Sequence, residues 1–316
     1  MAENLFSPEV DLGSSLPEAP PDFRSGFIAL IGRPNVGKST LMNALLGQKI
    51  AITSPIAQTT RNRLLGILTL PTAQILLLDT PGIHKPHHRL GEILVKTAQT
   101  TASDVDAILL VVDGSVPAGR GDQYICQSIG QSHVPIVICL NKSDLVAPAH
   151  QNVLRESYQT LLPKADLICL SALDPATLPP LLTHITQILP LGPYYYPPDL
   201  VTDQPERFLM GELIREQILL HTRDEIPHSV AVTIDLVEES ASLTRILATI
   251  YVERSSQKGI LIGKGGEMLK RIGQAARLQM QKLISGKIYL ELFVKVKPHW
   301  RRSNSILRDL GYKEDV

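Results

Sequence analysis

Gly32-Arg-Pro-Asn-Val-Gly-Lys-Ser39 follows the apolar run Phe27-Ile-Ala-Leu-Ile31 and opens the helical stretch Thr40-Leu-Met-Asn-Ala-Leu-Leu46. A strand, a glycine-bearing loop and a helix N-terminus in this order make a phosphate cradle: successive backbone N–H groups and the positive end of the helix face one anion. Within the loop, Gly32 and Gly37 let the backbone come close to phosphate, Lys38 reaches the β- and γ-oxygens, and Ser39 offers a hydroxyl to Mg²⁺. Arg33, Pro34, Asn35, Val36 and Thr40 fill the remaining positions of the cradle. The motif implies that the chain binds a nucleoside triphosphate; the base and the use made of it must be read elsewhere.

Outward from the loop, apolar strands alternate with amphipathic stretches. The strands expected are 27–31, 64–70, 74–78, 107–112, 135–140 and 167–170, with helices such as 91–102 and 122–130 between them. Such alternation predicts an α/β fold, a doubly wound and mostly parallel sheet, with ligands beyond the C-terminal strand ends. The proline- and tyrosine-rich segment Pro190-Leu-Gly-Pro-Tyr-Tyr-Tyr-Pro-Pro198 continues neither a helix nor a central strand. After it the order becomes α-β-β-α-β, so a second, α+β domain is expected. The division predicted is a disordered tail over 1–24, a nucleotide domain over 25–192, a linker over 193–205 and a second domain over 206–316.

Composition bounds the rest. A chain of 316 residues with 44% hydrophobic residues suits two soluble domains. No apolar run is long enough to span a bilayer, and the N-terminus lacks a basic, then apolar, leader. The three cysteines (Cys126, Cys139, Cys169) have no metal or disulfide spacing. These features imply a cytoplasmic protein, expected to be monomeric. Net charge is zero, yet eleven basic residues lie between Lys258 and Arg302 against only Glu267 and Glu291. That asymmetry points to a polyanionic partner.

Asn141-Lys-Ser-Asp144 directly follows an apolar strand. A carboxylate at Asp144 can accept from N1–H and the exocyclic amine of guanine, a pair adenine lacks. Asn141 can bridge base and phosphate loop, the Lys142 stem can lie on the base, and Ser171-Ala172-Leu173 offers a backbone N–H to the guanine oxygen. Asp79-Thr80-Pro81-Gly82 ends another strand: Asp79 is placed to hold Mg²⁺ through water and the Gly82 N–H to sense a γ-phosphate. Of Thr59 and Thr60, Thr60 is the better placed to close over Mg²⁺ when that phosphate is present.

Together, Gly32–Thr40, Gln58-Thr-Thr-Arg61, Asp79–Gly82, Asn141–Asp144 and Ser171–Leu173 resemble the bacterial Era GTPases. So do Leu219–Val232 and Gly259–Gly266, so that the resemblance covers residues 25–313. It implies slow hydrolysis of GTP to GDP, with Lys38, Thr60, Gly82 and Asn35 at the reacting phosphate. Many GTPases orient the attacking water with a glutamine after the Asp-x-x-Gly motif. Ile83 stands there. Either the chain is a GTP-responsive binder with negligible turnover, or the water is oriented otherwise; the resemblance implies the latter. In related GTPases an asparagine at the place of Asn35 helps bind K⁺, which is carried to Asn35 as an expectation. His84, His87 and His88 read as a solvated loop.

Gly263-Lys-Gly-Gly266, before a helix and inside the basic stretch, is the G-x-x-G loop with which KH domains clamp about four nucleotides. Gly263, Gly265 and Gly266 admit the backbone; Lys264, Lys270 and Arg271 supply charge. Single-stranded RNA is expected. Resemblance to Era implies 16S rRNA near its 3′ end and a role in maturation of the 30S ribosomal subunit. It also implies peripheral contact with the inner membrane face, for which His299-Trp-Arg-Arg302 is the candidate basic helix.

Overall fold

The structure, a computed structural model, describes residues 16–56, 59–83, 89–240, 242–284 and 286–312. Gln58, His84, His87 and His88 lie outside the described residues. In the first domain the strands are β1 (Arg24–Ile31), β2 (Leu64–Leu70), β3 (Ala73–Asp79), β4 (Ala107–Asp113), β5 (Ile136–Asn141) and β6 (Asp166–Cys169). They are joined by helices α1 (Lys38–Leu46), α2 (Arg89–Ser103), α3 (Arg120–Ile129), α4 (Gln151–Gln159) and α5 (Pro179–Ile188). The sheet order is β2-β3-β1-β4-β5-β6. Burial on both faces explains why β3 and β4 read as unbroken apolar runs. β2 departs from the parallel pattern and pairs antiparallel with β3, because two residues, Pro71 and Thr72, suffice for a hairpin and not for a crossover.

Register places the chemistry. Leu30 lies beside Asp79 and Asp113 beside Asn141, so β1, β3, β4 and β5 end at one rim. The order leaps to either side of β1, with β3 on one flank and β4 on the other, and the phosphate loop opens at that switch point.

Two expectations about the ends of this domain are corrected. Phe23 is buried and Arg24 begins β1, so the expected tail stops short of residue 24. The proline-tyrosine segment is a packed strap. Gly192 donates to the Phe23 carbonyl, Tyr195 and Tyr196 N–H groups to the Gln74 side chain, and Ile67 to the Val201 carbonyl. The Tyr194 ring lies 4.3 Å from Phe23 and that of Tyr195 5.4 Å from Phe27. Prolines exclude regular structure here, but ring contacts and these hydrogen bonds order the chain all the same.

The second domain holds α6 (Glu206–His221), α7 (Ile226–Ser229), β7 (Ala231–Glu239), β8 (Leu243–Val252), α8 (Ser255–Ile262), α9 (Glu267–Met280), β9 (Lys287–Val296) and α10 (Asn304–Asp309). β7 and β8 are antiparallel, and β8 and β9 parallel. The helix α8 is not expected from the sequence, since Ile260-Leu-Ile262 reads as a plain apolar run. Gln257 explains it: its side-chain oxygen accepts from the N–H groups of Glu253 and Arg254 (2.9 and 3.0 Å) and caps the helix start. Ile214, Ile218, Ile246, Ile250, Ile272 and Ala276 form the shared core of α6, α9 and the sheet.

Candidate functional site

Gly37 sits at φ 101°, and a side chain there would meet the Asn141 amide nitrogen at 2.2 Å. Asn141 explains the closeness. It donates to the Val36 carbonyl (2.8 Å) and accepts from Ala172 N–H (2.8 Å), bolting the phosphate loop to the 171–173 turn. A Cβ on Gly82 would stand 2.7 Å from Pro34 N, so the end of β3 abuts the same loop. Arg33 turns away from the cradle to pair with the buried Asp122 of α3 at 2.8 Å. Lys38 folds back over the loop, donating to the Gly32 and Arg33 carbonyls at 3.2 and 3.0 Å.

Below the loop three oxygens converge. Ser39 Oγ donates to Asp79 Oδ2 (2.6 Å), Thr60 Oγ1 donates to the same oxygen (3.0 Å), and the two hydroxyls are 2.9 Å apart. Asp79 is fully buried and its Oδ1 has no hydrogen-bond partner. A buried carboxylate with an orphan oxygen, flanked by two hydroxyls, is a donor set of the kind hard divalent cations take. Burial, opposed by Lys38, Ser39 and Thr60, pushes the Asp79 carboxyl above its ordinary range. Burial likewise lowers Lys38 to about 8, against the pull of Asp79. Both groups would regain full charge beside phosphate oxygens and a cation.

At the base end, Lys142 stands at φ 64° and its ammonium pairs with Asp113 at 2.6 Å. Partial burial pushes Asp113 upward, but hydrogen bonds from Lys142 and Ser115 outweigh it and hold the carboxyl below its ordinary range. Asp144 is exposed at the start of a single helical turn. The N–H groups of the 171–173 turn are already engaged: Ser171 with Thr177 Oγ1, Ala172 with Asn141, and Leu173 with Ser171 Oγ at the longest distance, 3.3 Å. Three expected nucleotide contacts are buried here. Thr80 is buried and donates to the Leu30 carbonyl (2.7 Å). Ile83 is buried among Ile31, Leu110 and Val112, and its N–H donates to Gly32. Pro81 is buried as well.

In the second domain Gly263, Gly265 and Gly266 have φ of 73°, 60° and 83°. Left-handed backbone in such a run explains the glycines. A cleft of about 350 Å³ follows, walled by Gly266, Lys270, Gly273 and Arg277 on one side and Tyr289–Leu292 on the other. Lys264 and Lys270 are exposed, as is Arg271. The expected basic helix at 299–302 is corrected. Trp300 is fully buried, donates Nε1–H to the Ser229 carbonyl (3.0 Å) and stacks on Tyr312, while Arg301 pairs with Glu253. Sequence spacing hides this because the partners lie up to 71 residues away.

Contacts between the domains have no counterpart in the sequence pattern either. Arg61 is buried and reaches carbonyls of the second domain at Pro227 (3.0 Å), His228 (3.3 Å) and Val230 (2.5 Å). Glu216 on α6 is buried and accepts from Lys49 (2.6 Å) and Thr53 N–H (2.8 Å). A glutamate in a half-apolar helix and an arginine in a polar loop carry no local signal of this.

A phosphate loop at a switch point, an Asn-Lys-x-Asp strand end and a G-x-x-G cleft define a P-loop GTPase joined to a KH domain. The 50S ribosome-binding GTPase family model matches residues 27–142, and the KH domain model residues 225–301. GTPase Era of Nostoc sp. (strain PCC 7120) is 62% identical over 95% of this chain and 93% of its own length. GTPase Era of Rippkaea orientalis is 60% identical, over 95% and 96%. A crystal structure of Era in complex with MgGDPNP and nucleotides 1506–1542 of 16S ribosomal RNA superposes with a TM-score of 0.89 at 38% identity, covering 92% of this chain and 99% of that one. The chain belongs to the Era family of GTPases. Its activity is GTP hydrolysis, and it binds guanine nucleotide. Among the described residues no helix is long and apolar enough to cross a membrane.

Proposed function

We propose that the chain is a Mg²⁺-dependent GTP switch whose KH cleft grips the 3′ region of 16S rRNA during maturation of the 30S subunit, acting as a monomer. The division into a nucleotide domain from residue 25, closed by the strap that runs through Thr202, and a KH-bearing domain from residue 206 is part of the same reading. The observation that carries it is the convergence of Ser39, Thr60 and Asp79 beneath the phosphate loop. Ser39, Thr60 and, through water, Asp79 would hold the cation, which neutralises charge on the β- and γ-phosphates. Lys38 would hold a proton against the same oxygens, and the Gly82 N–H would turn to the γ-phosphate. Asp144 accepts from guanine, and Asn141 keeps loop and base site in one frame.

With Ile83 turned into the core, no side chain at that position reaches the attacking water. Orientation of the water then falls to other groups of the site, which suits slow turnover. A K⁺ contribution from Asn35 is part of this reading; its Nδ2 donates to the Pro55 carbonyl (2.7 Å), which ties the phosphate loop to the segment before Thr60. Equal turnover in K⁺ and Na⁺ would remove that part of the reading.

For RNA, Lys264, Lys270 and Arg271 line the route of the phosphate backbone into the cleft, and Gly263, Gly265 and Gly266 let it approach. Crosslinking of the protein, loaded with a non-hydrolysable GTP analogue, to total RNA should map to the small-subunit 3′ end. Crosslinks scattered over unrelated RNAs would overturn the assignment. Sedimentation with anionic vesicles separates peripheral lipid binding, in which the buried Trp300 takes no part.

A further inference from the structure

Thr60 is the one donor of the Ser39–Thr60–Asp79 cluster that comes from neither the phosphate loop nor the end of β3. Its neighbours on both sides are bonded to the second domain. Before it, the Thr59 carbonyl accepts from Arg215, a buried residue of α6 that also pairs with Glu212. After it, the Arg61 guanidinium takes the carbonyls of Pro227, His228 and Val230 and lies over the Trp300 ring, 5.9 Å from its centroid. Trp300 and Tyr312 in turn pack with Leu90, Ile93 and Leu94 of α2, the helix that follows the other phosphate-sensing segment.

A guanidinium suits this task. Its planar fork can serve several carbonyls at fixed angles while one face stacks on an indole, and an ammonium can do neither. At 3% exposure, Arg61 has no water to fall back on if those carbonyls move. A shift of those carbonyls is passed to the Arg61 guanidinium, and through it to the backbone beside the Thr60 hydroxyl.

We infer that Arg61 is a positioning residue of the GTP site: anchored on the Pro227–Val230 carbonyls and Trp300, it holds Thr60 against Ser39 and Asp79, so the placement of the second domain sets the geometry of the cation and γ-phosphate donors. This rests on the GTP-switch reading above and adds to it the residue through which the second domain acts.

The test uses the full chain with Arg61→Lys and Arg61→Ala, and reads the affinities of fluorescent GDP and of a fluorescent non-hydrolysable GTP analogue over a Mg²⁺ series. Thr60 is asked to act only with Mg²⁺ and a γ-phosphate. The variants should therefore weaken the GTP analogue in Mg²⁺ about tenfold, the worth of one charge-assisted hydrogen bond, and leave GDP without Mg²⁺ within about twofold. Trp300, the single tryptophan, supplies a second readout. Its emission should differ between the two nucleotide states in the parent and lose that difference in Arg61→Lys. An unchanged ratio of the two affinities overturns the inference, and so does an equal loss for both nucleotides, which would mark Arg61 as a support of the fold. If Arg61→Ala does not fold, Arg61→Lys, which keeps charge and stem, decides. Failure of the parent to bind guanine nucleotide at all would instead sink the underlying reading.

Discussion

Replacing Gly37 by alanine tests the loop where its geometry is tightest. At φ 101° an L-residue is strained, by roughly 1–2 kcal/mol. The added methyl would lie 2.2 Å from the Asn141 amide nitrogen, a distance no real pair tolerates. Asn141 is buried and holds two hydrogen bonds of 2.8 Å, so it cannot swing aside freely; leaving either partner unsatisfied costs about 1–3 kcal/mol. The free loop will relax out of its cradle shape instead, and nucleotide must then restore it. Restoration at roughly 2–5 kcal/mol lowers GDP affinity by about thirtyfold or more. Equilibrium binding of fluorescent GDP measures this, with a denaturant midpoint to show that the variant is folded. A double-mutant cycle isolates the clash itself. Asn141→Ala removes the bridge and also the obstacle, so Gly37→Ala should cost only its backbone strain in that background. The two losses should fall short of additivity by more than about 1 kcal/mol. Additivity within about 0.5 kcal/mol, or a GDP affinity within about threefold of the parent, would refute the reasoning.

Asp144→Asn removes one of two carboxylate acceptors for guanine and should lower the preference for GTP over ATP by about tenfold or more in competition binding; an unaltered preference counts against residues 141–144 as the base site. Glu216→Ala strands the Thr53 N–H and Lys49 at the domain boundary and should lower unfolding free energy by about 2–4 kcal/mol, read from urea titration; an unchanged midpoint means the contact is idle. Lys264→Ala should weaken single-stranded RNA uniformly across sequences and reduce the slope of log affinity against log salt by about 0.7, the value for one phosphate contact on a single strand; a parent-like slope would place Lys264 off the RNA path.

The parts of the site legible in the sequence are those where chemistry sits at a fixed offset from a strand end. Gly32–Ser39, Asp79 and Asn141 each follow an apolar run, and parallel register then delivers them to one rim. Neighbours set by register across the sheet are less visible. Nothing local to Lys142 announces Asp113, which meets it because β4 and β5 pair in step. Ile83 shows a further limit. Its position after the Asp-x-x-Gly motif makes it look like a vacant catalytic place, but an isoleucine next to a hydrophobic layer is drawn into that layer. Trp300 misleads for the related reason that flanking arginines describe a surface, whereas burial is decided by distant contacts. The domain contacts through Arg61, Arg215 and Glu216 span more than 150 residues and have no periodic trace. Buried charge of that kind becomes visible only when both domains are in place.

The proline-tyrosine strap has a practical consequence for anyone dividing this chain. Backbone bonds from Pro190, Gly192 and Val201 and side-chain bonds from Gln74 and Thr202 stitch it across β1, β3 and β2. A fragment cut at residue 192 would leave Phe23 and Phe27 without their tyrosine cover and the β2 edge without the partner that Val201 provides. Such a fragment invites edge-to-edge association, whereas one extended through Thr202 carries its own lid. The cover of the first sheet is therefore encoded beyond its last helix, in a stretch whose composition resembles a spacer, and a boundary drawn on composition alone would cut through it.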